Sequence, residues 1–235
     1  MSFAERPLAR QYYIGLDLGQ RRDHSAIVVL REHLLVRPVV DRVTFAPVTE
    51  RDCGVVHIDR IALRTEYERV IAKVYEMLVS PQLREEKVVL AVDATGVGSD
   101  VFARMLQMTA AARAQRRAWL DAVGVVFTGG GKERWEGRRV TVPKNELMEG
   151  LRLAVEQKVI GFPQGKKMTE ELVRELSQMR REMTENSVKW RTMGEHDDLV
   201  MALALAVWGR GYRPMPGKWE KLGWGRPRWE WEKMR

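Results

Sequence analysis

Cysteine and long apolar segments are nearly absent from this sequence. Its 235 residues include one cysteine, Cys53, which excludes a disulfide within the chain and a zinc site built from several cysteines. No run of about 18 apolar residues occurs, so we expect no transmembrane helix. The first residues lack the apolar core of a secretory signal. These absences are typical of a reducing compartment, and we expect a cytoplasmic location.

Positive charge is in excess. Lys and Arg number 40 against 32 Asp and Glu, which gives a formal net charge of +8, and the sequence pI is about 9.8. A domain this basic usually binds a polyanion, and nucleic acid is the leading candidate. Apolar residues make up 45% of the chain, which is enough for a sizeable buried core.

The first third of the chain predicts an antiparallel meander of three strands. Residues 12–18, 25–31 and 55–63 are apolar or alternating, and a turn-rich GQRRD joins the first two. The intervening residues 32–54 either extend the hairpin or form a loop.

Helices and buried strands then alternate. Helical spacing predicts helices over 65–79, after the glycines of DATGVGSD, from Pro143 onward, through Leu172, Leu176, Met179 and Met183, and after His196. Strands are predicted at 88–93 and 123–127, with an edge strand at SVKWRT and a glycine-rich basic loop at TGGGKERWEGRR. The order predicts an α/β fold with a mixed sheet flanked by helices.

The end of the chain has a different composition. Residues 210–235 contain four tryptophans and eight Lys or Arg against three Glu. We therefore predict one domain over residues 1–209, followed by a basic, Trp-rich C-terminal tail over 210–235. We expect the tryptophans to pack against the domain, with base stacking and docking to a partner protein as alternatives.

Carboxylates occur where predicted strands end or a helix begins. Asp17 ends the first strand, Asp93 ends the buried strand at 88–93, and Asp197 and Asp198 open the last helix. Helix capping or a turn is the structural alternative at each position. Brought together, the acids would repel one another unless cations neutralised them, and Mg²⁺ or Mn²⁺ suits oxygen ligands. With a basic surface to hold phosphates, the pattern predicts a two-metal site for phosphodiester hydrolysis.

Four segments in order resemble the C-terminal, RNase H-like nuclease domain of phage large terminases, which are DNA-packaging motor proteins. They are GLDLGQRRDHSAIVV, VDATGVG at 92–98, the FTGG and VPKNEL pair at 127–130 and 142–147, and HDDLVMALALA at 196–206. The resemblance spans about residues 12–208 and implies an RNase H-like mixed sheet, a meander plus parallel strands, flanked by helices.

The same resemblance implies roles for individual residues. Asp17, Asp93 and Asp197 or Asp198 would be catalytic metal ligands for two Mg²⁺ or Mn²⁺ ions, with Asp23 an additional acid at the edge of the site. Lys144 stands where a basic residue could steady a phosphate, although a solvated lysine at a helix start is equally consistent. The DNA- or phosphate-binding set that we predict is Lys144, Lys132, Arg138 and Arg139.

One feature of large terminases has no counterpart. Their nuclease is joined to an ATPase with a phosphate-binding loop, whereas GGGKE departs from G-x-x-x-x-G-K-[ST] at Val126 and Glu133. An isolated nuclease domain, a stand-alone relative and one half of a split terminase all remain open. The expected partners are double-stranded DNA and a separate ATPase, portal or small terminase subunit, with no membrane. The location would be the host cytoplasm if the chain is phage- or prophage-encoded.

Three rival functions accompany the predicted DNA endonuclease. A Holliday-junction resolvase shares the fold, and a basic DNA-binding scaffold would use the acids only structurally. GLDLG also resembles actin-like ATPases and sugar kinases, but those require Thr or Ser soon after the glycine, and Gln20 follows Gly19. His24 and His196 are predicted to be hydrogen-bonding neighbours of the acids, and Cys53 to be inert.

Overall fold

The computed structural model describes residues 9–19, 23–43, 45, 47–184 and 187–212. Within these residues the strands are β1 (Ala9–Asp17), β2 (Ala26–Val40), β3 (Pro47–Arg60), β4 (Lys87–Asp93), β5 (Leu120–Thr128), β6 (Arg134–Glu136), β7 (Arg139–Pro143), β8 (Met179–Thr184) and β9 (Ser187–Thr192). The helices are α1 (Tyr67–Val79), α2 (Gly98–Ala114), α3 (Lys144–Glu156), α4 (Lys167–Gln178) and α5 (Asp198–Gly211).

Seven strands form one mixed sheet in the order β3-β2-β1-β4-β5-β7-β6. The meander β1-β2-β3 is antiparallel, β4, β5 and β7 run parallel to β1, and β6 returns antiparallel along β7. Strands β8 and β9 form a separate hairpin. The predicted RNase H-like α/β architecture is therefore confirmed.

Helices cover both faces of the sheet, and β4 shows why its sequence is continuously apolar. Alternate side chains of a strand point to opposite faces. Val89 and Ala91 pack in the core that contains α5, whereas Leu90 and Val92 pack in the core that contains α1 and α2. Both faces of β4 are buried, so neither can carry a polar residue before Asp93 ends the strand.

Helix α5 lies against the centre of the sheet. Nearly all of its residues are buried, and small residues such as Ala202 and Ala206 allow close approach to the strands. A Cβ on Gly15 of β1 would lie 1.9 Å from the carbonyl oxygen of Ala202. The absence of a side chain at Gly15 therefore sets how closely the helix approaches β1.

At one segment the structure decides between two alternatives that the sequence left open, and at two others it differs from the sequence prediction. Residues 32–54 mostly extend the β2–β3 hairpin, and the basic glycine-rich loop contains β6 and the start of β7. A helix was predicted to continue through Met179 and Met183. That prediction is wrong beyond Gln178, where α4 ends. There the carbonyl of Gln178 accepts a hydrogen bond from Met193 N, and both methionines belong to β8. Met179 is buried and Met183 is exposed, so they do not share the helical face that their spacing suggested.

The predicted tail lies almost wholly beyond α5, and residues 213–235 are outside the described residues. Among the residues that are described, no helix has the length and apolarity needed to cross a membrane.

Candidate metal centre

Asp17 and Asp93 lie side by side at the ends of two neighbouring parallel strands. Leu16 of β1 pairs with Val92 of β4, and each aspartate is the next residue along its strand. The side chains of Asp17 and Asp93 are in contact. We call this end of the sheet, where β1, β4, β5 and β7 finish, the carboxyl edge. The two acids at its centre face the α5 side, as Ala91 does two residues before Asp93.

Local hydrogen bonds fix the orientation of Asp93. Its Oδ1 accepts from the backbone N of Thr95 at 2.8 Å, and Thr95 Oγ1 accepts from Phe127 N at 2.9 Å. Burial raises the pKa of Asp93 above its ordinary value, although the hydrogen bonds from Thr95 act in the opposite direction. The Asp93 side chain is thus held at the carboxyl edge, where burial disfavours its ionised form unless another charge compensates it.

The charges of three other predicted acids act on Asp17. Burial, followed by the charges of Asp93, Asp198 and Asp197, raises the pKa of Asp17 well above its ordinary value, while Lys144 lowers it. Like charges shift a pKa in this way only when they are close. Three carboxylates that are far from Asp17 in the sequence, those of Asp93, Asp197 and Asp198, therefore lie close to it in the fold.

Neither aspartate at the start of α5 caps that helix through its side chain. Asp197 occupies the N-cap position without making a side-chain capping bond. The amides of Leu199 and Val200 donate instead to Glu175 Oε2, at 3.0 and 3.3 Å. The capping alternative considered for the HDD motif is thus not what the structure shows, and both aspartates are left for other contacts.

Asp198 is buried, with 4% of its surface exposed, and its Oδ2 has no hydrogen-bond partner within the described part of the chain. Arg60 Nε and His196 Nδ1 lie 3.9 and 3.8 Å from that oxygen, which is too far for hydrogen bonds. Burial raises the pKa of Asp198, and the charges of His196 and Arg60 oppose the rise.

The donor set fits a hard divalent cation. The pKa values of Asp17, Asp93 and Asp198 are raised, and Asp198 has a buried oxygen without a hydrogen-bond partner in the described part of the chain. Carboxylates in such a setting are ligands of the kind that Mg²⁺ and Mn²⁺ prefer. Across residues 9–212 as described, however, no three His, Cys, Asp or Glu side chains already form a coordination cluster. The acids lie near one another, but no three of them surround a single position in the described structure.

Two of the predicted phosphate-binding lysines lie at the carboxyl edge. Lys144 is the first residue of α3, directly after β7, and its Nζ is 3.8 Å from Asp197 Oδ2. Lys132 is exposed in the loop that follows the end of β5. Lys144 therefore lies among the acids, and Lys132 flanks them.

The two arginines of the predicted set make other contacts in the described structure, and a phosphate-binding role for Arg139 stays a prediction. Arg139 donates to the carbonyl oxygen of Ser99 at 3.0 Å, in the first turn of α2. Arg138 pairs with Asp121, near the start of β5 and so toward the end of the sheet opposite the carboxyl edge. The structure does not bring Arg138 together with the acids.

Asp23 is peripheral, whereas the two histidines lie beside Asp198. Asp23 is exposed and is not among the main charges that shift the pKa of Asp17. His24 Nδ1 lies 2.9 Å from the carbonyl oxygen of Ile61, and the rings of His24 and His196 meet edge to face with centroids 5.4 Å apart. A role for Asp23 as a ligand stays a prediction.

Three residues that were not predicted from the sequence line a cavity of about 480 Å³ beside His196. They are Arg60, Glu171 and Glu175. A signal for Glu175 was available. It follows Leu172 by three residues and precedes Leu176, so it falls on the apolar face of α4. A carboxylate on a buried face is costly unless it is paired, which marks such a residue as part of a network.

Comparisons with known proteins bear on the fold. No family model matches the sequence, and no curated protein matches it. Two structures of the human cytomegalovirus terminase nuclease domain match with TM-scores of 0.54, for a crystal soaked with Mn, and 0.53. They are 11% and 10% identical, and both matches cover 88% of this chain and 86% of that domain. These two structures show that the chain has the fold of a terminase nuclease domain.

A further match is the nuclease domain of g2p, the large terminase of bacteriophage SPP1, with bound Mn. It is 13% identical, covers 86% of this chain and 87% of that one, and has a TM-score of 0.44.

Proposed function

We propose that this chain, which has the fold of terminase nuclease domains, is a metal-dependent endonuclease of the terminase type that hydrolyses phosphodiester bonds of double-stranded DNA. The observation that carries the proposal is the gathering of Asp93, Asp197 and Asp198 around Asp17, with Lys144 among them. A cluster of this charge is costly without cations, and its ligands are those of two-metal phosphodiesterases.

Asp17, Asp93 and one or both of Asp197 and Asp198 would hold two Mg²⁺ or Mn²⁺ ions. When bound, such ions lower the pKa of the attacking water and stabilise the leaving 3′-oxygen. Asp93, already oriented by Thr95, would keep its position, whereas the more exposed Asp197 would turn from Lys144 toward the ions. Asp23 would remain at the edge of the site.

The basic groups at the carboxyl edge would hold the DNA. Lys144 would steady a phosphate next to the scissile bond once Asp197 is engaged, and Lys132 would contact the flanking backbone. Such contacts read charge and not sequence, so we expect little base specificity and steep salt dependence. If the chain is phage- or prophage-encoded, such a nuclease would work in DNA packaging in the host cytoplasm, together with an ATPase, portal or small terminase subunit.

The test is cleavage of supercoiled plasmid by purified protein in Mg²⁺, Mn²⁺ or EDTA. We expect metal-dependent nicking and linearisation that is lost in Asp17→Asn and Asp93→Asn. Asp100→Asn is the matched control, since Asp100 is an exposed aspartate in the first turn of α2. No cleavage by the unaltered protein in either metal, or full cleavage by both variants, would reject the proposal. A four-way junction cut in preference to the plasmid would assign the chain to the resolvase class instead.

A further inference from the structure

The first turn of α5 receives its cap from another helix. An N-cap aspartate ordinarily accepts from the amides two and three positions ahead, which for Asp197 are those of Leu199 and Val200. Both amides donate to Glu175 Oε2 instead. A residue of α4, 24 positions before Leu199, therefore satisfies the amides that Asp197 would otherwise claim.

Glu175 is built into this position. Its surface is 5% exposed, on the same buried side of α4 as Leu172 and Thr169. A buried carboxylate needs partners for both oxygens, and Glu175 has them. Oε2 serves the two amides, and Oε1 pairs with Arg60 Nη2.

Arg60 connects this cap to the carboxyl edge. It ends β3 and pairs across the sheet with Ala26, which pairs in turn with Asp17. Its Nη1 also lies 3.2 Å from Glu171 of α4, and its Nε lies 3.9 Å from Asp198 Oδ2. The end of β3, the last turns of α4 and the start of α5 are thus joined by one buried network.

We propose that Glu175 is a positioning residue for the candidate metal centre: it caps α5 and pairs with Arg60, and so keeps Asp197 and Asp198 free to face Asp17 and Asp93. Without this cap, Asp197 at the N-cap position would be expected to accept from the amides of Leu199 and Val200, as N-cap aspartates ordinarily do. Capping would turn that carboxylate away from the metal. The inference rests on the proposed function, because it assigns Glu175 a part in that site.

The test is a Mn²⁺ titration of the full chain by calorimetry, with circular dichroism and Tm in EDTA to establish folding. Residues that support metal ligands from outside the coordination shell typically change metal affinity by about 10- to 100-fold when substituted. We expect Glu175→Ala, which removes the acceptor for both amides, to lower Mn²⁺ affinity by at least about tenfold, and excess Mn²⁺ to restore most of the cleavage rate. Glu171→Ala is the matched control, because Glu171 also pairs with Arg60 from α4 but makes no described contact with α5.

A second variant tests the cap even if Glu175→Ala does not fold. If Glu175 is the cap, Asp197→Ala leaves the Tm in EDTA unchanged or raises it. A fall of about 2–4 °C, the loss typical of removing an N-cap in a chain of this size, would show that Asp197 caps the helix and would overturn the proposal.

The remaining outcomes are distinct. A folded Glu175→Ala with unchanged Mn²⁺ affinity, or an equal loss in Glu171→Ala, overturns the positioning role while leaving the proposed function intact. An unaltered protein that binds no Mn²⁺ overturns both.

Discussion

Gly15 of β1 lies directly beneath Ala202 of α5: a Cβ built on Gly15 would lie 1.9 Å from the Ala202 carbonyl oxygen and 2.6 Å from Ala206 N. Both obstacles are backbone atoms, so no side chain can move aside to make room. Asp17 is two residues beyond this contact on β1, and Asp198 is one helical turn before Ala202 on α5. The close approach of strand and helix is therefore what brings the carboxylates of the two elements together.

Gly15→Ala should displace α5 and destabilise the protein by about 1–3 kcal/mol or more, as overpacking of a buried interface does. Urea unfolding measures the change. Gly150→Ala is the control, since a Cβ there meets nothing within 4 Å in an exposed part of α3, and we expect it to be neutral or stabilising by up to about 1 kcal/mol. A Gly15→Ala protein as stable as the parent would contradict the packing described.

Asp17→Asn should stabilise the protein when no metal is present. Because the pKa of Asp17 in the folded protein is raised above its ordinary value of 3.8, the folded state binds that proton more tightly than the unfolded chain does. Ionised Asp17 therefore destabilises the fold at neutral pH, and the loss is recovered as the pH falls through the raised pKa toward 3.8.

In EDTA at neutral pH, we expect Asp17→Asn to raise the Tm by about 2–4 °C, equivalent to about 1 kcal/mol in a chain of this size. The advantage should shrink as the pH is lowered, and adding Mn²⁺ should reverse the order of stability. A lower Tm for Asp17→Asn in EDTA would show that the carboxylate makes a favourable contact.

Lys144→Gln should weaken DNA binding and lower its salt dependence. If Lys144 neutralises one phosphate, the slope of log K against log salt should become shallower by about 0.9. Fluorescence anisotropy with a labelled duplex at several salt concentrations gives the slope. Lys158→Gln removes the same charge from an exposed turn after α3. Equal slopes for the two variants would show that Lys144 is a solvated lysine that makes no special phosphate contact.

Arg138→Ala should affect folding more than DNA binding. The Asp121 carboxylate is 3% exposed and is held by Tyr212 Oη at 3.0 Å, by Arg113 at 3.2 Å and by Arg138. Losing one charged partner should cost about 1–2 kcal/mol, measured by urea unfolding. Weaker DNA binding without a loss of stability would instead support the phosphate contact that the sequence predicted.

Secondary structure was predictable wherever the apolar residues follow the pattern of a single element type, either a strand or a helix. The apolar strand ending at Asp93 and the amphipathic helix α1 were both found in this way. The pattern failed where two structures fit the same residues. The spacing of Met179 and Met183 suits a helix, but only pairing with β9 decides that they lie in a strand. The short β6–β7 hairpin was hidden by its glycines and charges.

The acids of the site were predictable because strand ends and a helix start are visible in sequence, and their ordered resemblance to terminase nucleases supported the set. The contacts that support these acids were not predictable, although the position of Glu175 on the apolar face of α4 was visible. Arg60 and Glu175 are 115 residues apart, and only the packed fold shows that they meet over the first turn of α5. Lys144 and Lys132 lie near the acids whereas Arg138 does not, and this difference likewise depends on the register of β7.

Anomalous diffraction from crystals soaked in Mn²⁺ tests the proposed metal centre most directly. We predict two anomalous peaks at the carboxyl edge, coordinated by Asp17, Asp93 and at least one of Asp197 and Asp198, and no peak there in Asp93→Asn crystals. Fully soaked crystals with no peak among these carboxylates, or with Mn²⁺ bound only elsewhere, would contradict it.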